Sequence, residues 1–340
     1  MQTGLTLEES NAPNAQMSPF EIFSLIQEDL LSVEHELVKQ AETSSATVSG
    51  VVNHLIESGG KRVRPALLLL ASRLVHDQLN YSAVRMGAVM EMLHSATLIH
   101  DDIIDEASVR RGRASANAKW GNNVTVLVGD WLYMTAFDIS LRERNFDILE
   151  SLTEMTRLMV EGEILQLSLI GNSHITEAEH LEIVRRKTAY LFRTCAEIGA
   201  LVANATSAQR RALAHYGLSV GIAFQLIDDV LDFISTEDKL GKPVANDLRE
   251  GKLTLPLIYL LQAHPEYRDK LETVMHEGCF ESVNREEVVA WIERHGALQQ
   301  ARAEAHRYAQ EATDALAIFP PSDYRHALLS IPRFIIEREM

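Results

Sequence analysis

Two short segments of this chain concentrate carboxylates where the surrounding sequence is apolar. In LIHDDIIDEASVRRGR, residues 98–113, Asp101, Asp102 and Asp105 interrupt a hydrophobic run. Far downstream, FQLIDDVLDF repeats the arrangement with Asp228, Asp229 and Asp232. Random placement of the chain's aspartates would give far less than one copy of DDxxD, so composition does not explain two. On a helix, residues four apart share a face, which sets Asp101 beside Asp105 and Asp228 beside Asp232. Like charges at that spacing repel, and the negative end of the helix dipole adds to the cost. A hard divalent cation relieves both. Magnesium takes oxygen ligands, keeps several waters and commonly joins one or two carboxylates to substrate phosphates. An EF-hand calcium site needs ligands spread along a loop of about 12 residues with a central glycine, which neither segment has. A solvated acidic helix end would explain either cluster alone; a matched pair that breaks the same local rules twice points to function.

A metal-bound phosphate also needs cations, and the chain places them where helices start or stop. GGKRVRP, residues 59–65, follows a glycine pair with Lys61, Arg62 and Arg64, and Pro65 suits the first turn of a helix. Glycines let backbone approach an anion, and a helix N-terminus adds its positive end. The spacing is not that of a P-loop. Arg110 and Arg111 follow Asp105, Lys187 and Thr188 fall inside the helical stretch RRKTAYLF, and Lys242 and Lys252 lie in KLGKPVANDLREGKLT. Each alone reads as a surface charge; around two metal-type clusters they read as a diphosphate site. His94 lies seven residues, two helical turns, before Asp101 and shares its face, although a core histidine is the plainer alternative.

These residues must be positioned by helices. Apolar positions recur every three to four residues over 18–41, 60–76, 84–106, 117–144, 146–170, 176–203, 207–233, 255–263, 285–293, 296–317 and 322–338. Glycine- and proline-bearing breaks separate them, and no alternating run qualifies as a strand. The stretches 84–106 and 207–233 are apolar on more than one face and belong near the middle of a bundle. The expectation is an all-α protein of ten or more helices, with a flexible N-terminal arm at 1–17 and one domain over 18–340. With 340 residues, 46% of them hydrophobic, the chain can bury a large core. Its net charge of −16 argues against a nucleic-acid partner. Cys195 and Cys279 read as free thiols in a reducing compartment. The N-terminus has no signal-peptide pattern, and apolar runs such as ALLLLAS fall short of a membrane span. A soluble cytoplasmic protein is expected.

Taken in order, GGKRxRP, HSATLIHDDIID with its RRG, KT, FQLIDDVLD and GKP resemble the trans-isoprenyl diphosphate synthase family over nearly the whole chain. EMLHSATLIHDDIIDEASVRRG and GNNVTVLVGDWLY are most similar to its long-chain, octaprenyl- and solanesyl-type members, which make polyprenyl diphosphates for quinone side chains. The resemblance implies the isoprenoid synthase-like fold, a helical bundle around a central active-site cavity. It also implies a prenyltransferase that condenses an allylic diphosphate with successive isopentenyl diphosphates. Asp101, Asp105 and Asp228 would ligate three Mg²⁺ ions, with Asp102, Asp229 and Asp232 supporting them directly or through water. Arg110, Lys187 and Lys242 would contact the allylic diphosphate. Lys61, Arg64, His94 and Arg111 would hold isopentenyl diphosphate, with Arg62 and Lys252 adding to the basic lining. Thr188 and Gln225 would set oxygens near the allylic cation. Homodimers through helices like 117–144 are implied, with transient membrane contact for product release.

Product length depends on the floor beneath Asp101. Ala96 and Thr97 lie one turn deeper on its face and are small, so the channel is open past farnesyl length. One turn, about 5.4 Å, is comparable with one isoprene unit, which suggests a product of about 30 to 50 carbons. Leu93, Trp131, Met134 and Phe137 are the candidate floor, with ordinary core packing as the alternative. The C-terminal SIPRFIIEREM lacks a strongly basic tail, which weighs against a lid role there. Alternatives are a farnesyl- or geranylgeranyl-length synthase, a terpene cyclase, and a silent partner subunit. The second complete DDxxD and GGKRVRP weigh against the cyclase, and the intact motifs weigh against the silent subunit.

Overall fold

The structure, a computed structural model, describes residues 16–42, 44–78, 80–110, 112–234 and 244–338. In chain order the helices are α1 (Pro19–Ser24), α2 (Gln27–Glu42), α3 (Ala46–Glu57), α4 (Val63–Val75), α5 (Tyr81–Ile104), α6 (Ala116–Trp120), α7 (Asn122–Arg142), α8 (Phe146–Ser168) and α9 (Glu177–Val184). They continue with α10 (Tyr190–Val202), α11 (Ser207–Ile234), α12 (Asn246–Arg249), α13 (Leu255–Ala263), α14 (Arg268–Glu277), α15 (Arg285–Arg294), α16 (Ala297–Ala315) and α17 (Asp323–Ile336). The all-α class expected from the 3.6-residue period is the class observed.

Packing runs α7 on α5, α5 on α4, α4 on α10, α10 on α11 and α11 on α16. In α4 every residue from Pro65 to Ser72 is buried, and α5 buries Met86 to His94 without interruption. Helices apolar on all sides can only be stable inside such a bundle. The two stretches expected at its centre are there as α5 and α11, and each delivers an aspartate cluster at its C-terminal end.

Between α9 and α10 the helix widens into a π-turn, Arg185–Ala189, which carries Lys187 and Thr188. Such turns are frequent at functional sites. Two glycines let neighbours close on it: a Cβ at Gly162 would stand 2.6 Å from the Cβ of Arg186, and one at Gly221 would stand 2.6 Å from the Cα of Ala189. Helices α8 and α11 therefore seat directly on the turn.

The structure differs from the sequence reading in several places. The stretch 117–144 is broken at Gly121, whose φ of 78° is easy only for glycine. Helices α3 and α14 were not anticipated, because α3 buries only Val51 and Val52 and α14 only Leu271 and Val274. Neither stripe is long enough to show a period. A two-residue antiparallel ladder pairs Val109–Arg110 with Arg113–Ala114, too short to register as alternation. Met17, placed in the N-terminal arm, is docked: its N–H donates to Ser330 Oγ at 3.1 Å. The arm at 1–15 lies outside the described residues. Helix α7 is long and apolar enough to cross a membrane by length and composition alone. One of its faces packs on α5, while Leu127, Met134 and Leu141, seven residues apart, form an exposed stripe.

Candidate active site

The first cluster divides at its second aspartate. Asp101 is half-buried and lines a cavity of about 550 Å³. Burial pushes its carboxyl up to about 6; Lys187 opposes that, and the charges of Glu163 and Asp105 add to it. Asp105 caps the end of α5 and is exposed. Asp102 points away from both. It is 2% exposed, and its Oδ1 accepts from Arg110 Nε at 2.6 Å, with Nη2 also 2.6 Å away. Asn117 Nδ2 donates to the Asp102 carbonyl at 3.2 Å. The β ladder thus aims Arg110 at Asp102, and the pair fixes the turn that follows α5.

The second cluster divides in the same place. Asp228 is half-buried, and Arg338 Nη1 lies 3.1 Å from its Oδ1. The Arg338 guanidinium also stacks 5.1 Å from the Phe224 ring centre, so the C-terminal segment reaches the site despite lacking a strongly basic tail. Asp229 is buried, with Oδ1 accepting from Gln225 Nε2 at 2.9 Å and Oδ2 lying 3.0 Å from His180 Nε2. Asp232 is buried too; its Oδ2 accepts from the Asp247 amide at 3.2 Å and its carbonyl from the Ala245 amide at 2.7 Å. It anchors α12. Asp102, Asp229 and Asp232, expected to support metal directly or through water, are each engaged by protein donors.

The basic residues also sort by their partners. Lys187 Nζ sits 2.6 Å from Glu163 Oε2 and donates to Gln166 Oε1 at 2.6 Å. Thr188 Oγ1 donates to Gln225 Oε1 at 2.9 Å. Arg64 lines the larger cavity with His94, its guanidinium 5.4 Å over the Phe192 ring. Lys61 is exposed at the turn before α4. Arg62 departs from expectation. It takes a left-handed conformation, φ 47°, and turns inward to Glu91 at 2.6 Å and Glu34 at 3.2 Å. These pairs fasten α2, α4 and α5 together. Lys252 is half-buried; burial works against its charge, but Glu250, 2.6 Å away, and then Asp105 and Asp247 raise its pKa. Arg111 and Lys242 lie outside the described residues.

Lys187 and Thr188 line two cavities at once. The larger reaches Asp101; the smaller, about 210 Å³, reaches Asp229, Asp247 and Lys252. The π-turn is thus the wall where the two clusters meet.

The expected floor is not where the structure closes the larger cavity. Thr97 lines it, but Ala96 and Leu93 are packed in the core. Trp131, Met134 and Phe137 are absent from its wall, and Met134 is 64% exposed. The cavity face of α7 is Val126, Asp130 and Tyr133, and Phe137 lies one turn beyond Tyr133 on that same face. Trp131 and Met134 share the phase of the exposed stripe instead. Burial pushes the Tyr133 phenol up to about 12, with Asp101 and Asp130 adding to the effect.

Glu163, Gln166, Tyr133 and His180 were not anticipated. Glu163 and Gln166 are three apart and so share a face of α8, a trace in the sequence; nothing local marks His180. Among the described residues, no three acidic, histidine or cysteine side chains form a preformed metal cage. The accessible donors, Asp101, Asp105 and Asp228, are all oxygens, and burial disfavours the charged form of Asp101 when no cation joins it. Such a set fits a hard cation that arrives with a phosphate and keeps its waters.

Residues 45–292 match the polyprenyl synthetase family. Among curated relatives, the octaprenyl diphosphate synthase of Haemophilus influenzae is 36% identical over 324 residues, covering 95% of this chain and 98% of that protein. The all-trans-nonaprenyl-diphosphate synthase (geranyl-diphosphate specific) of Rhodobacter capsulatus is 37% identical over 319 residues, or 94% of this chain and 97% of that one. Among solved structures, the polyprenyl synthase of Caulobacter crescentus CB15 complexed with calcium and isoprenyl diphosphate matches with a TM-score of 0.89 at 35% identity, covering 96% of this chain and 99% of that one. A match over most of the chain, together with near-full-length relatives at this identity, means that the protein belongs to the polyprenyl synthetase family.

Proposed function

We propose that the protein is a trans-polyprenyl diphosphate synthase, a magnesium-dependent prenyltransferase. It joins an allylic diphosphate to successive isopentenyl diphosphates, giving an all-trans product of about 30 to 50 carbons, the quinone side-chain range. The observation that carries the reading is the π-turn: Lys187 and Thr188 face both the Asp101 cavity and the Asp229 cavity. A diphosphate bound there meets carboxylates from two helices and a lysine between them.

Magnesium, for which Asp101, Asp105 and Asp228 are the fitting ligands, supplies positive charge to the leaving diphosphate. Lys187 exchanges Glu163 and Gln166 for the same anion and stabilises it as the carbon–oxygen bond breaks. Arg64 and His94, with Lys61 at the rim, suit the second diphosphate. Leu98, Met159, Ile164 and Leu191 wall the cavity and keep water from the allylic cation. The double bond of isopentenyl diphosphate attacks that cation to form the new carbon–carbon bond, and the departing diphosphate takes the proton released. Thr188 Oγ1 and Gln225 Oε1 bring oxygens to the cation. The long product accords with the octaprenyl and nonaprenyl relatives and with the small Thr97 in the wall. The exposed stripe of Leu127, Met134 and Leu141 suits a homodimer through α7, and we place the enzyme in the cytoplasm.

The test is a chain-length assay: purified protein, Mg²⁺, farnesyl diphosphate and labelled isopentenyl diphosphate, with products separated after dephosphorylation. A dominant band of about 30 to 50 carbons is expected, lost in EDTA and regained with Mg²⁺. Farnesyl or geranylgeranyl products would overturn the length; hydrocarbon without label would overturn the reaction.

A further inference from the structure

The hydrogen-bonded line through Thr188 and Gln225 does not stop at the cavity. Thr188 Oγ1 donates to Gln225 Oε1, Gln225 Nε2 donates to Asp229 Oδ1, and Asp229 Oδ2 faces His180 Nε2, at 2.9, 2.9 and 3.0 Å. Asp229 and His180 are only 3% and 6% exposed. The line therefore runs from the wall of the larger cavity, through α11, to a histidine on α9 in the wall of the smaller one.

Asp229 sets the direction of every hydrogen in that line. An ionised carboxylate only accepts, so His180 presents Nε2–H and Gln225 presents its NH₂ group. The carbonyl end of Gln225 is then the end that faces Thr188, and the hydroxyl must donate to it. Thr188 Oγ1 is left with its lone pairs for the cavity it lines. Were the amide reversed, its NH₂ would donate to Thr188 and the hydroxyl hydrogen would swing free. The positive end of the O–H dipole could then face the place where positive charge develops. In a water-poor site such a dipole acts with more force than in water.

We propose that His180 is a positioning residue for prenyl transfer: by holding one oxygen of Asp229 it locks the Gln225 amide in the orientation that offers the Thr188 lone pairs to the allylic cation. Without His180, Oδ2 would be a buried charged oxygen short of a donor, and the carboxylate would turn to find one. Gln225 would then lose its reference. The proposal rests on the synthase reading.

The experiment compares wild type, His180→Gln, which keeps an N–H donor at the end of its side chain, and His180→Leu, which keeps volume without a donor. Wild-type incorporation of labelled isopentenyl diphosphate with Mg²⁺ comes first; its absence would overturn the synthase reading itself. Given incorporation, His180→Leu is expected to lower kcat by about 10- to 100-fold with KM for isopentenyl diphosphate within about 3-fold, and His180→Gln to return kcat to within about 3-fold of wild type. A Leu variant with wild-type kcat, or a Gln variant no better than Leu, would overturn the relay. If circular dichroism shows the Leu variant unfolded, His180→Asn, whose shorter amide misplaces the donor, takes its role with the same thresholds. Coupling supplies a second reading. On a Thr188→Val background there is no hydroxyl to orient, so the same His180 change should cost less than about 2-fold. A full additional loss there would mean that His180 serves packing alone.

Discussion

Lys187 Nζ lies 2.6 Å from Glu163 Oε2, so the cation at the junction of the two cavities already has a carboxylate that a diphosphate must displace. Removing the lysine takes away a preorganised charge, and Lys187→Ala should lower kcat/KM for the allylic substrate by about 10²- to 10³-fold. Glu163→Gln removes the competitor instead and should lower KM for that substrate by several-fold. Steady-state kinetics at fixed isopentenyl diphosphate separate the two effects.

Asp101 and Asp102 are neighbours with opposite expected outcomes. Burial raises the Asp101 pKa to about 6, so its ionised form is disfavoured in the folded protein. The stability this group contributes is present at acid pH and is lost as pH rises through about 6. In EDTA at pH 8, Asp101→Asn should therefore keep or slightly raise the thermal midpoint, while with Mg²⁺ its turnover falls by orders of magnitude. Asp102→Asn weakens the charge-assisted contact with Arg110 and should cost about 2 kcal/mol of stability. Calorimetry alongside the chain-length assay checks both, and an active Asp101→Asn enzyme would remove that residue from the metal set.

Tyr133, not Met134, should set product length. Tyr133→Ala opens the cavity toward Phe137, one turn further on, and the product should lengthen by about one isoprene unit or more. Met134→Ala alters an exposed position and should leave the length unchanged. Chromatography of the dephosphorylated products distinguishes them.

The two thiols should react very differently. Cys195 is fully buried, which pushes its thiol up to about 12, and Glu91 adds to the effect while Arg64 opposes it. An unfolded thiol ionises near about 8.5, so this group's contribution to stability is complete below that pH and falls as pH climbs toward 12. Cys279 is half-buried. At pH 8 a disulfide reagent should label Cys279 in the native enzyme and reach Cys195 only after denaturation. Rapid native labelling of Cys195 would contradict the packing around α10.

Helices and aspartate clusters could be read from sequence because both are local patterns, repeated within a few residues. The sorting of the aspartates could not. Asp102 and Asp229 look identical to their neighbours until Arg110 and His180 are placed against them, and His180 stands 49 positions away from Asp229. At the floor, what separates Tyr133 from Met134 is helical phase. Residues 133 and 134 differ by about 100° around α7, which is the difference between cavity wall and outer surface. Arg62 belonged to a basic motif by spacing, yet Glu34 and Glu91, brought up by α2 and α5, claim it.

The π-turn at Arg185–Ala189 also limits how this chain can change length. It amounts to one extra residue inside an otherwise continuous helix from α9 to α10. Deleting that residue would restore regular α-helix and leave α9 and α10 in nearly their present register, yet it would re-phase the side chains of the turn itself by up to about 100°. Lys187 and Thr188 would move away from Glu163 and Gln225 even while His180 stayed on Asp229. Single-residue insertions and deletions here are expected to be almost silent to folding and ruinous to turnover, so the segment acts as a frame mark for the whole site.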